Sequence, residues 1–169
     1  MPSAPPPILP GRYRVALVCL GNICRSPVAD VVLSAQVAEG GLDDRVEVVS
    51  AGTGDWHVGE PMDHRAAATL TSAGYDASRH RAQQYAVSWF SECDLVLAMD
   101  GSNLADLRAL APDDADPARL RLFRDFDPDE PGGEVPDPYY GGPGGFTDVL
   151  EMVERTCVAL TTAIAAAVS

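Results

Sequence analysis

No run of apolar residues in this sequence approaches the length needed to cross a bilayer, so no membrane partner is expected. Basic residues are few. Twelve Lys and Arg stand against 25 Asp and Glu, for a formal net charge of −13. A basic footprint for nucleic acid is therefore absent, and any site that handles phosphate must work locally against an unfavourable global field. None of the four cysteines (Cys19, Cys24, Cys93 and Cys157) forms a C-x-x-C pair, and His57, His64 and His80 are scattered. That spacing argues against zinc, and neither a metal nor an organic cofactor is expected. The stretch Met1 to Gly11 lacks a charged n-region and an apolar h-region and is rich in proline. It reads as a flexible tail over residues 1–11, not a signal peptide, which makes the cytoplasm the default location. In a reducing compartment, cysteines serve packing or chemistry.

What is present is enough for one domain, over residues 12–169. The 169-residue length and 46% hydrophobic content suffice to bury a core. Arg14 to Val18 reads as a buried strand, Val28 to Val37 as a helix, and Val46 to Val49 as a second strand. Met62 to Ala73 looks helical and stops at Gly74. Leu95 to Met99 is a third strand, and Ser102 to Leu110 a helix ended by Pro112. Arg119 to Phe123 is a candidate fourth strand. In Phe146 to Val168, apolar Val149, Val153, Cys157, Leu160 and Ile164 recur at steps of three or four, which predicts a long final helix. Strands alternating with helices imply an α/β sandwich with a mainly parallel sheet, whose ligands bind at the carboxyl ends of the strands. Residues 127–145, rich in Pro, Gly and Asp, read as an exposed loop.

The segment after the first strand is Cys19-Leu20-Gly21-Asn22-Ile23-Cys24-Arg25-Ser26-Pro27. Cys19 ends the strand. Gly21 and Asn22 are the residues most able to take a left-handed backbone. Ser26 suits a helix N-cap and Pro27 the first helical position. Such a loop brings several backbone N–H groups and a helix N-terminus to one point, which makes an anion site. Arg25, six residues after Cys19, can grip two phosphate oxygens with its planar fork. The same positive surroundings favour thiolate over thiol at Cys19.

This loop resembles the phosphate loop of the low-molecular-weight protein tyrosine phosphatases, in their bacterial form. The resemblance extends to Ser50-Ala51-Gly52-Thr53 and Trp56, to Met99-Asp100-Gly101-Ser102-Asn103-Leu104, and to Asp137-Pro138-Tyr139-Tyr140. It covers nearly the whole chain from Tyr13 onward. It implies a three-layer sandwich in which a four-stranded parallel sheet carries helices on both faces. It also implies a substrate cradle of Leu20, Gly21, Asn22, Ile23, Cys24 and Ser26.

Tyrosine leaves poorly unless it is protonated, so a thiolate needs a carboxylic acid beside it. Asp125, Asp127, Asp129, Glu130, Glu134 and Asp137 compete for that role on composition alone. The resemblance selects Asp137, since Asp-Pro-Tyr is the family's general-acid motif. It likewise makes Trp56, Tyr139 and Tyr140 the aromatic walls of a deep pocket. Asp100, Asn103 and Ser50 are expected to support the loop and Arg25. Cys93 and Cys157 are expected to be structural, and the histidines are assigned no role.

The expected reaction is hydrolysis of phosphotyrosine in proteins through a cysteinyl-phosphate on Cys19, with phosphoproteins as partners and a monomer or weak homo-oligomer as the working form. The nearest alternative is a protein-arginine phosphatase of the same family. In those enzymes the position of Ile23 resembles a threonine, and an apolar Ile23 suits a phenyl ring better. Arsenate reductase chemistry needs a pair of relay cysteines close together, which Cys93 does not have. A phosphate-binding module without turnover is disfavoured because both nucleophile and acid are present. Cys24, five residues from Cys19 on one loop, is a candidate redox partner for it.

Overall fold

The computed structural model describes residues 2–142 and 144–169. Its elements follow the order β1 (Tyr13–Cys19), α1 (Arg25–Glu39), β2 (Val46–Gly52), α2 (His64–Ser72), α3 (Trp89–Glu92), β3 (Leu95–Ala98), α4 (Gly101–Leu110), β4 (Leu120–Leu122) and α5 (Gly144–Val168). The four strands form one parallel sheet in the order β2-β1-β3-β4. β1 lies at its centre, paired with β2 along its whole length and with β3 from Val15 to Val18.

A central parallel strand is covered on both faces, so its sequence reads as a continuous apolar run. The side chains of β1 then divide by parity. Val15 and Leu17 join one core cluster with Val28 and Val32 of α1 and Val153, Cys157 and Leu160 of α5. Ala16 and Val18 join another with Tyr85, Trp89, Leu104 and Leu107. These two clusters are the interfaces of the three-layer sandwich. Leu17 is fully buried, and its truncation to Ala costs about 2–5 kcal/mol.

Several boundaries differ from expectation. α1 starts at Arg25, with Cys24 at the N-cap and no side-chain cap bond, so Ser26 is already inside the helix. α2 starts at His64 because Asp63 caps it, accepting from the N–H groups of Arg65 and Ala66. β4 is only three residues long, because 3-10 turns over Pro117–Arg119 and Phe123–Phe126 flank it. The short α3 carried too little periodicity to be anticipated.

The N-terminal residues, expected to form a flexible tail, make specific contacts with the domain. Ile8 N donates to Asp94 Oδ1 at 2.7 Å, and Tyr13 Oη donates to the Pro5 carbonyl at 3.0 Å. Arg119 and Arg121 bond the carbonyls of Pro6 and Ser3. Among the described residues, no helix is long and apolar enough to cross a membrane.

Candidate functional site

The site forms where β1 ends and its chain turns into α1. Cys19 is the last residue of the strand, with its thiol nearly enclosed. Ser26 Oγ lies 3.0 Å from Cys19 Sγ, and the Asn22 amide donates to the same sulfur at 3.3 Å. Ser26 therefore does not cap the helix. Its hydroxyl faces the thiol.

Asn22 holds the loop's shape. It alone among the described non-glycine residues has positive φ, at 57°. Gly21, expected to share that conformation, does not. Asn22 tolerates the left-handed region because its side chain finds local partners. Its Nδ2 donates to Ser26 Oγ at 2.8 Å and to Ser50 Oγ at 3.1 Å, and its Oδ1 accepts from the Gln83 amide at 2.9 Å. The Asn22 carbonyl accepts from His80 Nε2 at 2.7 Å. Burial holds the His80 pKa below its usual value, in spite of that bond. Asn22 and Ser26, expected in the substrate cradle, are thus fully buried behind it.

The end of β2 presses against the loop. Thr53 N donates to the Cys19 carbonyl and Gly54 N to that of Leu20, both at 2.9 Å. A Cβ on Gly52 would lie 2.7 Å from the Leu20 carbonyl oxygen, closer than real contacts allow. The glycine at that position is what permits the approach.

Arg25 is buried at the start of α1. Its Nη1 meets Asp100 Oδ2 at 2.5 Å and donates to the Val135 carbonyl at 3.1 Å; its Nη2 lies 3.7 Å from Asp137 Oδ2. Burial disfavours its charge, but Cys19, Asp100 and Asp137 outweigh burial and keep the guanidinium firmly protonated. Asp100 also caps α4, accepting from Asn103 N at 2.7 Å. Of the expected supports, Asp100 acts directly on Arg25, Ser50 acts through Asn22, and Asn103 offers only its backbone.

A cleft of about 280 Å³ opens over Cys19. Leu20, Gly21, Ile23, Cys24 and Arg25 form its floor, and Trp56, Tyr139 and Tyr140 rise around it with Asp137. Trp56 and Tyr140 are largely exposed. Tyr139 stacks edge-on with Tyr140, ring centroids 4.8 Å apart, and its carbonyl accepts from Arg65 Nη1 at 3.1 Å. Burial, with Asp63, Cys19 and Asp137 nearby, pushes the Cys24 thiol up to about 12, so it stays neutral.

Six carboxylates were candidates for the acid, and only Asp137 lines the cleft. Asp127 is buried against Arg155 and Arg124, and those bonds hold its carboxyl well below the usual range. Asp129 and Glu130 pair with the same arginines. Asp125 accepts from Leu122 N, and Glu134 from Gly101 N. Two histidines have places that sequence reasoning missed. His80 supports Asn22, and His57 lines the cleft over Gly21 while bonded to Glu60 at 2.5 Å. No local pattern marks either one, because each acts across a turn or between distant segments. Cys93 and Cys157 are fully buried in the core.

The arrangement brings a thiol, a buried guanidinium, a carboxyl group and three aromatic side chains to one cleft, a setting that can hold a tetrahedral oxyanion. The family model described as low molecular weight phosphotyrosine protein phosphatase matches residues 14–169. A low molecular weight protein-tyrosine-phosphatase of Streptomyces coelicolor is 51% identical over 154 residues, 90% of this chain and 93% of that one. A protein tyrosine phosphatase from Entamoeba histolytica superposes with a TM-score of 0.85 at 32% identity, over 91% of this chain and 97% of that one. A Drosophila arginine phosphatase gives 0.79 at 28% identity, over 88% and 95%. The chain belongs to the low molecular weight phosphotyrosine protein phosphatase family.

Proposed function

We propose that this protein hydrolyses phosphotyrosine in proteins through a cysteinyl-phosphate on Cys19. The reading rests above all on one observation: Cys19, Arg25 and Asp137 share a single cleft walled by Trp56, Tyr139 and Tyr140. The Cys19 thiolate attacks phosphorus in line. An S–P bond forms as the bond to the phenolic oxygen breaks, and the Asp137 carboxyl gives its proton to that oxygen. Asp137, now a carboxylate, takes a proton from water as the water attacks phosphorus. The S–P bond breaks and inorganic phosphate leaves. Arg25 and the loop amides stabilise the charge on the equatorial oxygens throughout. No step calls for a metal or organic cofactor.

Phosphoarginine is the competing substrate, since a relative of similar fold is an arginine phosphatase. Ile23 favours the phenyl ring. It lines the cleft together with Cys19 and Arg25 and offers an apolar surface with no hydroxyl to assist a guanidinium leaving group. The expected setting is the cytoplasm, with phosphoproteins as partners and a monomer or weak homo-oligomer as the active form.

Turnover of matched phosphotyrosine, phosphoserine and phosphoarginine peptides tests the substrate. Phosphotyrosine is expected to lead by at least tenfold in kcat/KM, and Ile23→Thr to move the ratio toward phosphoarginine. Rapid quenching with labelled substrate tests the chemistry: label is expected on Cys19 and absent from Cys19→Ser. A wild-type preference for phosphoarginine overturns the substrate. Label found only on another residue overturns the nucleophile.

A further inference from the structure

Asp137 has an exposed side chain on a segment without regular secondary structure, yet general acid catalysis needs its carboxyl held within hydrogen-bond reach of the leaving oxygen. Something must fix the backbone that carries it. The chain before it is tied down by a buried ionic truss that the chemistry itself does not use. Asp127 is fully enclosed, and Arg124 nearly so. Arg155, on α5, donates from Nε to Asp127 Oδ1 and from Nη2 to Oδ2, both at 2.9 Å. Arg124 Nε donates to Asp127 Oδ2 at 2.9 Å.

The rest of the Arg124 fork reaches forward. Nη2 bonds Glu130 Oε2 at 2.9 Å and Nη1 donates to the Glu134 carbonyl at 2.7 Å. The Arg124 carbonyl accepts from Gly132 N at 3.1 Å. The guanidinium also lies over Gly133, where an added Cβ would sit 2.9 Å from Nη1. Val135, which follows Glu134, is fully buried; its N–H donates to the Met99 carbonyl and its own carbonyl accepts from Arg25. Only Pro136, whose ring restricts φ, separates Val135 from Asp137.

We propose that Arg124 is a positioning residue for the general acid: its buried guanidinium, braced through Asp127 on α5, shapes residues 130–134 so that Asp137 meets the leaving oxygen over Cys19. The proposal rests on Asp137 being that acid. A five-donor planar fork suits the task, because it binds two carboxylates and a backbone carbonyl at once. A lysine ammonium is a single point charge and cannot span those three partners.

The test is kcat/KM over a series of aryl phosphates whose phenols differ in basicity, measured for Arg124→Lys, Gly133→Ala, Asp137→Asn and the double variants. Gly133→Ala keeps every charge and sets a new Cβ 2.9 Å from the fork and 3.1 Å from the Glu130 carbonyl, of which the fork, at the end of a flexible side chain, is the one to give; its backbone has no positive φ to strain. For both Arg124→Lys and Gly133→Ala, basic phenols are expected to lose tenfold or more and good leaving groups less than threefold. In the Asp137→Asn background the same changes are expected to cost nothing further. A uniform loss across the series, or a loss that multiplies with that of Asp137→Asn, overturns the role of Arg124. If Asp137→Asn itself shows no dependence on the leaving group, the acid assignment fails instead. Should Arg124→Lys not fold, Gly133→Ala decides the matter.

Discussion

Ser26 Oγ lies 3.0 Å from Cys19 Sγ and accepts a hydrogen bond from Asn22 Nδ2 at 2.8 Å. With the amide bonded to its oxygen, the hydroxyl keeps its own proton to donate, and the sulfur at 3.0 Å is a nearer acceptor than the Ala51 carbonyl at 3.4 Å. In the proposed reaction the hydroxyl then stabilises the thiolate, whether free or departing from phosphorus. A hydrogen bond to a charged group is worth about 1.5–3 kcal/mol. Ser26→Ala is therefore expected to lower kcat roughly 10–100-fold and to slow the alkylation of Cys19 by iodoacetamide at neutral pH. An unchanged alkylation rate would remove Ser26 from this role.

Gly52 is expected to tolerate no side chain. A Cβ there would meet the Leu20 carbonyl oxygen at 2.7 Å and the Asn22 nitrogen at 3.1 Å, both backbone atoms of the phosphate loop. Neither can move without reshaping the loop around Cys19. Gly52→Ala should cost about 1–3 kcal/mol of stability, in the range of overpacked sites. Its activity should fall by tenfold or more. Denaturant unfolding and kinetics on one preparation measure both effects, and full activity would show that the loop accommodates the methyl.

Cys24 shares the cleft with Cys19 and carries a thiol pushed up to about 12. It is neutral at rest and does not compete for phosphate. After peroxide converts Cys19 to the sulfenic acid, Cys24 is expected to capture it as a disulfide with loss of water. Because thiolate attacks faster than thiol, capture should accelerate as pH rises. Wild type should recover its activity with thiol reductant, and Cys24→Ser should recover less. Equal recovery rules the capture out.

Asp30, on α1, donates no charge to the chemistry but carries a pH signature. Burial raises its carboxyl to about 6, despite hydrogen bonds from Ser50 and Ser34. In the unfolded chain the same group titrates near 4. Between those values the folded state holds more protons than the unfolded one, so this group's stabilising contribution falls as pH rises through the window. Asp30→Asn mimics the protonated form. Its melting temperature should match wild type near pH 4 and exceed it at pH 7.5. The reverse order at pH 7.5 would mean that the ionised carboxylate is stabilised by the fold.

The stretch from Cys19 to Pro27 was legible because its meaning is local. A strand end, a residue suited to a left-handed turn, an arginine and a helix start lie within nine positions, and backbone geometry brings them to one point. The long apolar stripe of α5 and the parallel alternation of strand and helix were equally plain, since periodic burial leaves its period in the sequence. The exact start of α1 was not. Ser26 has the chemistry of a cap, and only the nearby sulfur turned it toward another partner.

Asp100 shows where local reading stops. It lies 75 residues from Arg25 and forms a 2.5 Å ion pair with it, because β1 and β3 are neighbours in the sheet. His80 and Asn22 are 58 positions apart and meet at 2.7 Å. Among six carboxylates of like charge in residues 125–137, composition offers no distinction. The fold buries Asp127 between two arginines and leaves Asp137 lining the cleft that holds Cys19. What lies within one turn of chain, the phosphate cradle and its nucleophile candidate, follows from the order of the residues, since short-range sterics and hydrogen bonding decide it. Which distant side chains face that cradle depends on sheet order and on the burial of charge, and those are properties of the packed chain as a whole.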